Sequence, residues 1–425
     1  MFAIIKIRKK KIRAHSATCC RFFFKHLKHN CVKKLLQSKF FNNKNYILGI
    51  WIFLGLLNWK LDFFKDRYNN YKIFRQVFYH SIQKKHLYGA YPEYFDENHY
   101  GPAFALVVAP FAIFPDIIGS LMWGLFNALI LFFALWKMPL NKNFRILTII
   151  LCTIEMANSM WSQQFNATEA SFILFSYILV ENKRDFWAGL FIALGTYVKL
   201  YAVIGLVFFL FSGNKKMFIS GCVFWFTVFY FLPMLLSSFN FINENYYGWY
   251  VSLVEKNGQN RLLTSSTDDS LMGLARRLFQ NPAIPNWPFM MVGASVFLIP
   301  FLRFNQYKFL SFRLMCLASS LMIIILLSTS SEHPTFIYPM IGVSIWFILL
   351  GNKRFLPINI ALLLFVLIIG GLGPTDALGK PIRVWIIYHS IKAVPYTLIW
   401  ILILKDSIFR NFGLADDQLL KSNYA

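Results

Sequence analysis

The stretch IGSLMWGLFNALILFFAL, residues Ile118–Leu135, decides the fold because it carries no charged side chain. A helix needs about 20 predominantly apolar residues to cross the hydrocarbon core of a bilayer. Comparable apolar runs recur along the chain, and the sequence therefore predicts an all-α, polytopic integral membrane protein. These further runs are Met217–Leu236, Phe309–Leu327, Ile337–Leu350, Phe355–Leu372 and Val384–Leu404.

Composition and charge agree with this fold class. The 425 residues are 57% hydrophobic and 15% charged, with a mean hydropathy of +0.50, whereas soluble domains carry about 25% charged residues. The net charge of +24 would suggest nucleic acid in a soluble protein. Here, residues 1–45 hold 13 Lys and Arg and no acid, which is typical of a cytoplasmic tail before a first span near anionic lipids. We therefore expect membrane lipids, and no nucleic acid, as partners.

The charged connectors predict a topology. With the basic connectors inside, about 11 to 13 crossings fill residues 46–404, and residues 405–425 form a second cytoplasmic tail. Two long segments, 60–100 and 238–285, then lie outside. Residues 103–114, framed by prolines, are either a thin span or a re-entrant segment. We expect a multi-pass protein of the plasma (inner) membrane.

The segment Phe186–Phe211 has both ends on the inner side in this topology. It must therefore turn back near Gly195–Leu200, which brings Lys199 to the outer interface or to an outward-facing cleft. An ammonium group among apolar residues is costly, and such groups usually face a cavity or a partner. Alternatively, Lys199 extends to the lipid headgroups.

Other polar residues inside or at the ends of apolar runs also require explanation. Each has a structural interpretation, such as a helix cap or a hydrogen bond between helices. All but Glu155 fall on the predicted outer side, beside the two long segments. A cation suits phosphate, and amides with carboxylates suit a sugar, so together they indicate an anionic, lipid-linked substrate. The residues are Glu155, Gln164, Asn166, Glu169, Lys199, Tyr201, Glu332 and His333. No metal-ligand, P-loop or Rossmann motif occurs, so we expect neither a metal nor a cofactor.

Several stretches in order resemble glycosyltransferase family 87, the polyprenyl-phosphate-mannose-dependent α-mannosyltransferase-like membrane proteins of the GT-C fold. The resemblance covers roughly Asn69–Trp346. It is carried by Leu87-Tyr88, Tyr100-Gly101-Pro102, Pro110-Phe111, Pro115, Trp123, Asn127, Gln164, Asn166, Ala188-Gly189 and Lys199, by DDSLMGLARRLF (residues 268–279) and by SSEHPTFIYP (residues 330–339).

The resemblance implies a GT-C-like bundle and a transferase reaction. A hexose, mannose in the family, would move from a polyprenyl phosphate donor to a lipid or glycan acceptor on the outer face. An outer carboxylate would take the proton of the acceptor hydroxyl, and transfer would invert the anomeric centre without a metal. The substrate-binding residues would include Tyr100 in addition to Gln164, Asn166, Glu169, Lys199, Tyr201, Glu332 and His333.

The sequence departs from the family at the expected base. The usual Asp aligns with Asn70, and an amide cannot accept the proton near neutral pH. Asp66 is our first choice of base and Asp96 the second, with Glu97 beside it. A non-catalytic relative and a flippase or transporter for lipid-linked sugars remain the alternative interpretations.

Overall fold

The computed structural model describes residues 43–161 and 163–421, and this part of the chain is helical without strands. Most of the predicted basic tail, residues 1–42, lies outside the described residues. The α-helices are α1 Lys44–Phe64, α2 Asn69–Gln83, α3 Phe104–Ala112, α4 Asp116–Lys137, α5 Lys142–Trp161, α6 Asn166–Glu181, α7 Asp185–Val198, α8 Lys215–Phe231, α9 Phe239–Asn260, α10 Leu271–Leu278, α11 Trp287–Leu298, α12 Leu310–Leu326, α13 Ile337–Leu349, α14 Pro357–Phe365, α15 Lys380–Tyr388, α16 Ala393–Phe409 and α17 Leu414–Lys421.

Shorter helical turns connect these helices. A π-helix, Val366–Leu372, continues α14. The 3₁₀ segments are Leu200–Phe211, Leu232–Leu236, Ile299–Leu302, Phe304–Gln306, His333–Phe336, Gly351–Phe355 and Asp376–Leu378.

The all-α membrane architecture predicted from the apolar runs is confirmed. By length and composition, 4 described helices can cross a membrane, namely α1, α4, α5 and α8 with its extension to Leu236. A fifth span results if α15 and α16, which meet at an angle of 56°, count as one. Six shorter apolar helices of 10–17 residues accompany them. The number of 11 to 13 crossings stays a prediction.

Residues 103–114, for which the sequence allowed either a thin span or a re-entrant segment, contain the short helix α3. It has 9 residues with Pro110 inside, so it rises only about 14 Å, less than half of the hydrocarbon thickness. Five of its side chains are buried, and the helix packs mainly against α2. Helix α3 therefore does not cross the bilayer on its own.

The chain reverses where the sequence predicted a turn. Helix α7 ends at Val198, Lys199 is extended (φ −152°, ψ 93°), and the 3₁₀ helix Leu200–Phe211 follows. Gly195 contacts Ala202 across the turn, and Ile192 contacts Gly205. These pairs are those of an antiparallel hairpin, so Lys199 lies at its tip.

Helix α7 also packs closely on α8 at the Ala188-Gly189 position. A Cβ on Gly189 would lie 2.6 Å from the carbonyl carbon of Gly221 on α8. Small residues at such crossings let two helix backbones approach each other inside a membrane. This contact holds the hairpin against the rest of the bundle.

The two predicted outer loops contain helices. The segment 60–100 includes the end of α1 and the whole of α2, and the segment 238–285 includes α9 and α10. Helix α1 continues to Phe64, which is five residues into the segment 60–100. Both segments fold against the hairpin tip, and their helices supply walls for the cavity described below.

Glu155 has a structural partner that the sequence did not reveal. Its carboxylate lies 3.0 Å from Lys392 Nζ, and Tyr396 Oη donates to it at 2.8 Å. The side chains of Glu155 and Lys392 are 1% and 0% exposed. This buried ion pair joins α5 to the start of α16, as the structural interpretation of Glu155 predicted.

Candidate active site

A cavity of about 490 Å³ lies where the hairpin tip meets both long connecting segments. Helix α2, the loop after it, helix α9 and the segment 328–332 form its walls. It collects eight residues from the sequence-based candidates, which are Asn70, Asp96, Glu97, Tyr100, Gln164, Lys199, Tyr201 and Glu332. Lys199 is thus in a hollow lined by carboxylates, as the proposed chemistry requires.

Lys199 has neutral partners in this cavity. Its Nζ donates to Asn166 Oδ1 at 2.7 Å, and it lies 5.5 Å and 5.1 Å from the ring centroids of Tyr100 and Tyr201. Within the described ranges, no carboxylate oxygen lies within 4.0 Å of this nitrogen. The ammonium charge is therefore free to bind an anion from the cavity.

Two amide side chains connect Lys199 to the carboxylate of Glu332. Asn166 Nδ2 donates to Gln164 Oε1 at 3.4 Å, and Gln164 Nε2 donates to Glu332 Oε2 at 2.9 Å. Tyr100 Oη also donates to Gln164 Oε1, at 3.5 Å. The network fixes a cation and an anion in one wall without pairing them directly.

Gly101 explains the Tyr100-Gly101-Pro102 motif. Its backbone N–H donates to Val198 O at 3.0 Å, next to Lys199. A Cβ at this position would lie 2.1 Å from Tyr197 O and 2.9 Å from the ring of Trp249. Only glycine allows this approach, which docks the first long segment on the hairpin tip and brings Tyr100 beside Lys199.

Asp96 is held at the cavity by its backbone. Asn69 accepts from the N–H of Phe95 at 3.0 Å and donates to the carbonyl of the same residue. Asp96 then adopts a left-handed conformation, φ 76°. Its side chain is 54% exposed and lies 3.9 Å from Lys256 Nζ. The carboxylate is therefore accessible to a bound hydroxyl.

His99 is a cavity residue that the sequence analysis missed. Its Nδ1 lies 2.7 Å from Ser252 Oγ, and its carbonyl accepts from Trp249 Nε1 at 2.9 Å. Burial lowers the pKa of His99 to about 4, and the nearby charge of Lys256 adds to this effect. The imidazole is therefore neutral at pH 7. Its position directly before Tyr100 is the signal that could have identified it.

Further cavity residues also come from positions that carried no sequence signal. Four of them belong to the second long segment, whose aromatic and charged side chains were not assigned individually. They are Ile73, Phe74, Leu200, Trp249, Leu253, Lys256, Thr267, Ser328 and Ser330.

The structure places three predicted site residues elsewhere. Asp66, the first choice of base, is 74% exposed, pairs with Lys72 at 2.8 Å and does not line the cavity. Glu169 is buried behind the hairpin and accepts from the N–H of Ala202 at 3.1 Å. Its carboxylate supports the turn that carries Lys199 rather than facing the cavity.

His333 also differs from its predicted role in the same cavity. Its Nδ1 lies 2.6 Å from Asp269 Oδ2, and its ring lines a second cavity. Its neighbour Glu332 faces the first one. Among the described residues, no three His, Cys, Asp or Glu side chains are grouped so that they could hold a metal ion.

Comparison with known protein families adds to this geometry. The model of glycosyltransferase family 87 matches residues 98–329, more than half of the chain. The chain belongs to glycosyltransferase family 87. Searches of curated proteins and of solved structures gave no match. As a member of family 87, this protein is a membrane glycosyltransferase that acts on a sugar donor and an acceptor. The matched part includes Tyr100, Gln164 and Lys199, whereas Asp66, Asn70 and Asp96 precede it.

Proposed function

We propose that this glycosyltransferase moves a hexose, with mannose as the first candidate, from a polyprenyl phosphate donor to a lipid or glycan acceptor at the outer face of the membrane. One observation carries the proposal. The ammonium of Lys199, bound to a neutral amide at 2.7 Å, opens into the same cavity as the accessible carboxylate of Asp96.

Lys199 would bind the phosphate of the donor. In the transfer, the bond between the anomeric carbon and the phosphate oxygen breaks, and its electron pair stays on the departing polyprenyl phosphate. A fixed cation next to that oxygen stabilises the developing charge, and the effect is largest in a site that excludes water. The Tyr100 and Tyr201 rings around Nζ make that side of the cavity poor in water.

Asp96 replaces Asp66 as the base in this proposal, because Asp66 lies outside the cavity. The Asp96 carboxylate would accept the proton of the acceptor hydroxyl while the hydroxyl oxygen attacks the anomeric carbon from the face opposite the phosphate. This single displacement inverts the anomeric centre. Such a reaction is possible without a metal, because the leaving group is already an anion and one base with one cation can serve both ends.

Lipid-linked substrates are consistent with the position of the cavity at the hairpin tip, where apolar helices end. The 13 Lys and Arg of residues 1–45 support a cytoplasmic amino terminus and a multi-pass protein in the plasma (inner) membrane. The cavity would then face outward, on the side opposite to this tail.

The test uses the full-length protein in lipid nanodiscs, radiolabelled polyprenyl phosphate mannose, mixed membrane acceptors and EDTA. We expect a labelled product, and the variant Asp96→Asn should lower its rate by a factor of about 10²–10⁴. The matched control Asp66→Asn should react at the wild-type rate. Lys199→Met should weaken donor binding by about tenfold or more.

Equal rates for Asp96→Asn and wild type would refute the assignment of the base. A donor that crosses a proteoliposome membrane unconsumed would instead identify a flippase. Donor binding that is unchanged in Lys199→Met would remove the phosphate site.

A further inference from the structure

The ion pair between Lys256 and Asp96 has no role in the transfer proposed above. Lys256 Nζ lies 3.9 Å from Asp96 Oδ1, and the lysine side chain is 16% exposed. The two residues come from different elements, since Lys256 belongs to α9 and Asp96 to the loop after α2. Both line the first cavity. The proposed base therefore has a cation beside it that the second long segment supplies.

Helix α9 docks on this loop through side chains that are one helical turn apart. Trp249 Nε1 donates to His99 O at 2.9 Å, and Ser252 Oγ lies 2.7 Å from His99 Nδ1. Lys256 follows Ser252 by four positions, which places both side chains on the same face of the helix. The lysine therefore reaches Asp96 from a helix that is already fixed against the loop.

The two oxygens of the Asp96 carboxylate differ in their contacts. The N–H of Glu97 donates to Oδ1 at 2.9 Å, and the ion pair with Lys256 is formed by the same oxygen. Among the residues that the structure describes, no donor bonds to Oδ2. A carboxylate that is held at one oxygen presents the other in a fixed direction. The lone pairs of Oδ2 are therefore the ones available to a proton.

Asp96 is the carboxylate that Lys256 contacts, although other acids are near. Glu97 and Glu332 also line the cavity, but within the described ranges no oxygen of theirs lies within 4.0 Å of Lys256 Nζ. His99, which lies between the loop and α9, is neutral at pH 7 and brings no charge to the pair. The cation of Lys256 therefore acts on Asp96 in particular.

We propose that Lys256 is a positioning residue that holds Asp96 Oδ1, so that Oδ2 takes the proton of the acceptor hydroxyl. This inference rests on the proposed function, in which Asp96 is the base. In the transfer, the O–H bond of the acceptor breaks, its proton moves to Oδ2, and the electron pair of the hydroxyl oxygen forms the bond to the anomeric carbon. Lys256 and the N–H of Glu97 stay with Oδ1, and the lysine neither takes nor gives a proton.

Such a role affects the rate of transfer more than the binding of the donor. Asp96 is 54% exposed, so the surrounding protein restricts the rotation of its carboxylate only in part. A misplacement of about 1 Å can lower the rate of a reaction about 100-fold. The donor phosphate is bound by Lys199 in the proposed transfer. Loss of Lys256 should therefore lower kcat and leave donor binding largely intact.

The test compares lysine variants of the full-length protein in lipid nanodiscs, with radiolabelled polyprenyl phosphate mannose and mixed membrane acceptors. Lys256→Met should lower kcat about 10- to 100-fold, whereas its donor dissociation constant should change far less than that of Lys199→Met. Lys256→Arg should recover most of the lost rate, because the cation remains. The matched control is Lys72→Met, which breaks the exposed pair with Asp66 outside the cavity and should react at the wild-type rate.

A double-variant cycle shows which carboxylate Lys256 serves. In the Asp96→Asn background, Lys256→Met should cause little further loss of rate, because residues that act as a unit are not additive. In the Glu97→Gln background, the same substitution should cause the full loss. Melting temperatures and size-exclusion profiles in detergent identify a variant that does not fold. If Lys256→Met is such a variant, Lys256→Gln, which is polar but uncharged, replaces it in every comparison.

The outcomes separate this inference from the proposed transfer. A slow Asp96→Asn together with Lys256→Met at the wild-type rate overturns the positioning role and leaves the base in place. Donor binding that weakens as much in Lys256→Met as in Lys199→Met, at an unchanged kcat, makes Lys256 a second phosphate ligand and also overturns it. Equal losses in the Asp96→Asn and Glu97→Gln backgrounds reduce Lys256 to a structural part of α9. Asp96→Asn at the wild-type rate refutes the base itself, and with it the residue that would hold it.

Discussion

Lys199 Nζ donates to Asn166 Oδ1 at 2.7 Å, although the two residues are 33 positions apart in the chain. The lysine is at the tip of a hairpin, and the asparagine opens α6. A neutral amide orients the ammonium without neutralising it. A carboxylate in the same place would form an ion pair with the Lys199 ammonium, and that cation would no longer be available to the donor phosphate.

This relationship makes opposite substitutions of Asn166 informative. Asn166→Asp should place a carboxylate beside Nζ and weaken donor binding by about tenfold or more, because charged hydrogen bonds are roughly twice as strong as neutral ones. Asn166→Ala removes the orienting bond and the longer bond to Gln164 without adding a charge, and it should weaken donor binding by a few-fold. Equilibrium binding of a labelled polyprenyl phosphate sugar measures both. Tighter binding to Asn166→Asp than to wild type would contradict the role of the free ammonium.

Gly101 should not tolerate a larger residue. The Cβ of Gly101→Ala would meet Tyr197 O at 2.1 Å, so the loop must move away from the hairpin tip. We expect a loss of about 1–3 kcal/mol in stability and weaker donor binding, since Tyr100 moves with the loop. Gly89→Ala, in the same segment with nothing within 4 Å of its Cβ, is the matched control. Thermal unfolding in detergent compares them, and equal melting temperatures would refute the close contact.

The neutral state of His99 predicts a dependence of stability on pH. Burial lowers the pKa of His99 from 6.5 to about 4. Between these values the unfolded chain binds a proton that the folded protein does not, so folding stability is fully present above pH 6.5 and falls as the pH falls toward 4. The resulting loss of folding free energy from His99 reaches at most about 3 kcal/mol.

Melting temperatures measured from pH 7 to pH 4 test this expectation. In His99→Gln the melting temperature should fall less steeply with decreasing pH, because the group that titrates on unfolding is gone. His86→Gln, at an exposed position of the same segment, should keep the wild-type slope. If the melting temperature of His99→Gln fell with pH as steeply as that of wild type, groups other than His99 would cause the dependence.

The buried pair of Glu155 and Lys392 should matter more for stability than any exposed pair. Lys392→Met leaves a buried carboxylate without its cation and should cost about 3–5 kcal/mol. The double variant Glu155→Leu, Lys392→Met removes both charges and should recover most of that loss. Lys72→Met, which breaks the exposed pair with Asp66, should cost less than about 1 kcal/mol. Urea or thermal unfolding ranks the four proteins, and a double variant no more stable than Lys392→Met would contradict the pairing.

The sequence alone predicted the helical membrane architecture and the candidate residues around Lys199. Uninterrupted apolar runs predict helices directly, because a single segment in lipid can satisfy its own backbone hydrogen bonds only as a helix. The turn at Lys199 was also predictable, since the charge rule places the connectors on both sides of this segment on the inner side, which requires the chain to come back. The family resemblance named Tyr100 and Gln164, which line the cavity, and Asn166, which is buried and bonds to Gln164 and Lys199.

The choice among the acids was not predictable from sequence. Asp66 and Asp96 are both in the first long segment, and only the folded loop shows that Asp96 lines the cavity while Asp66 faces away. The burial of His99 was not predictable, because it depends on Ser252 and Trp249, about 150 residues later.

The sequence by itself determined that this chain folds as a helical membrane protein, because the hydrophobic length of each run and the charges between runs are local properties. Only the tertiary structure decided which polar residues meet. Glu155 and Lys392 are 237 positions apart, and Glu332 and His333 are neighbours that face different cavities. Such relationships depend on how distant helices pack and on the direction of each side chain, and neither is fixed by spacing along the chain.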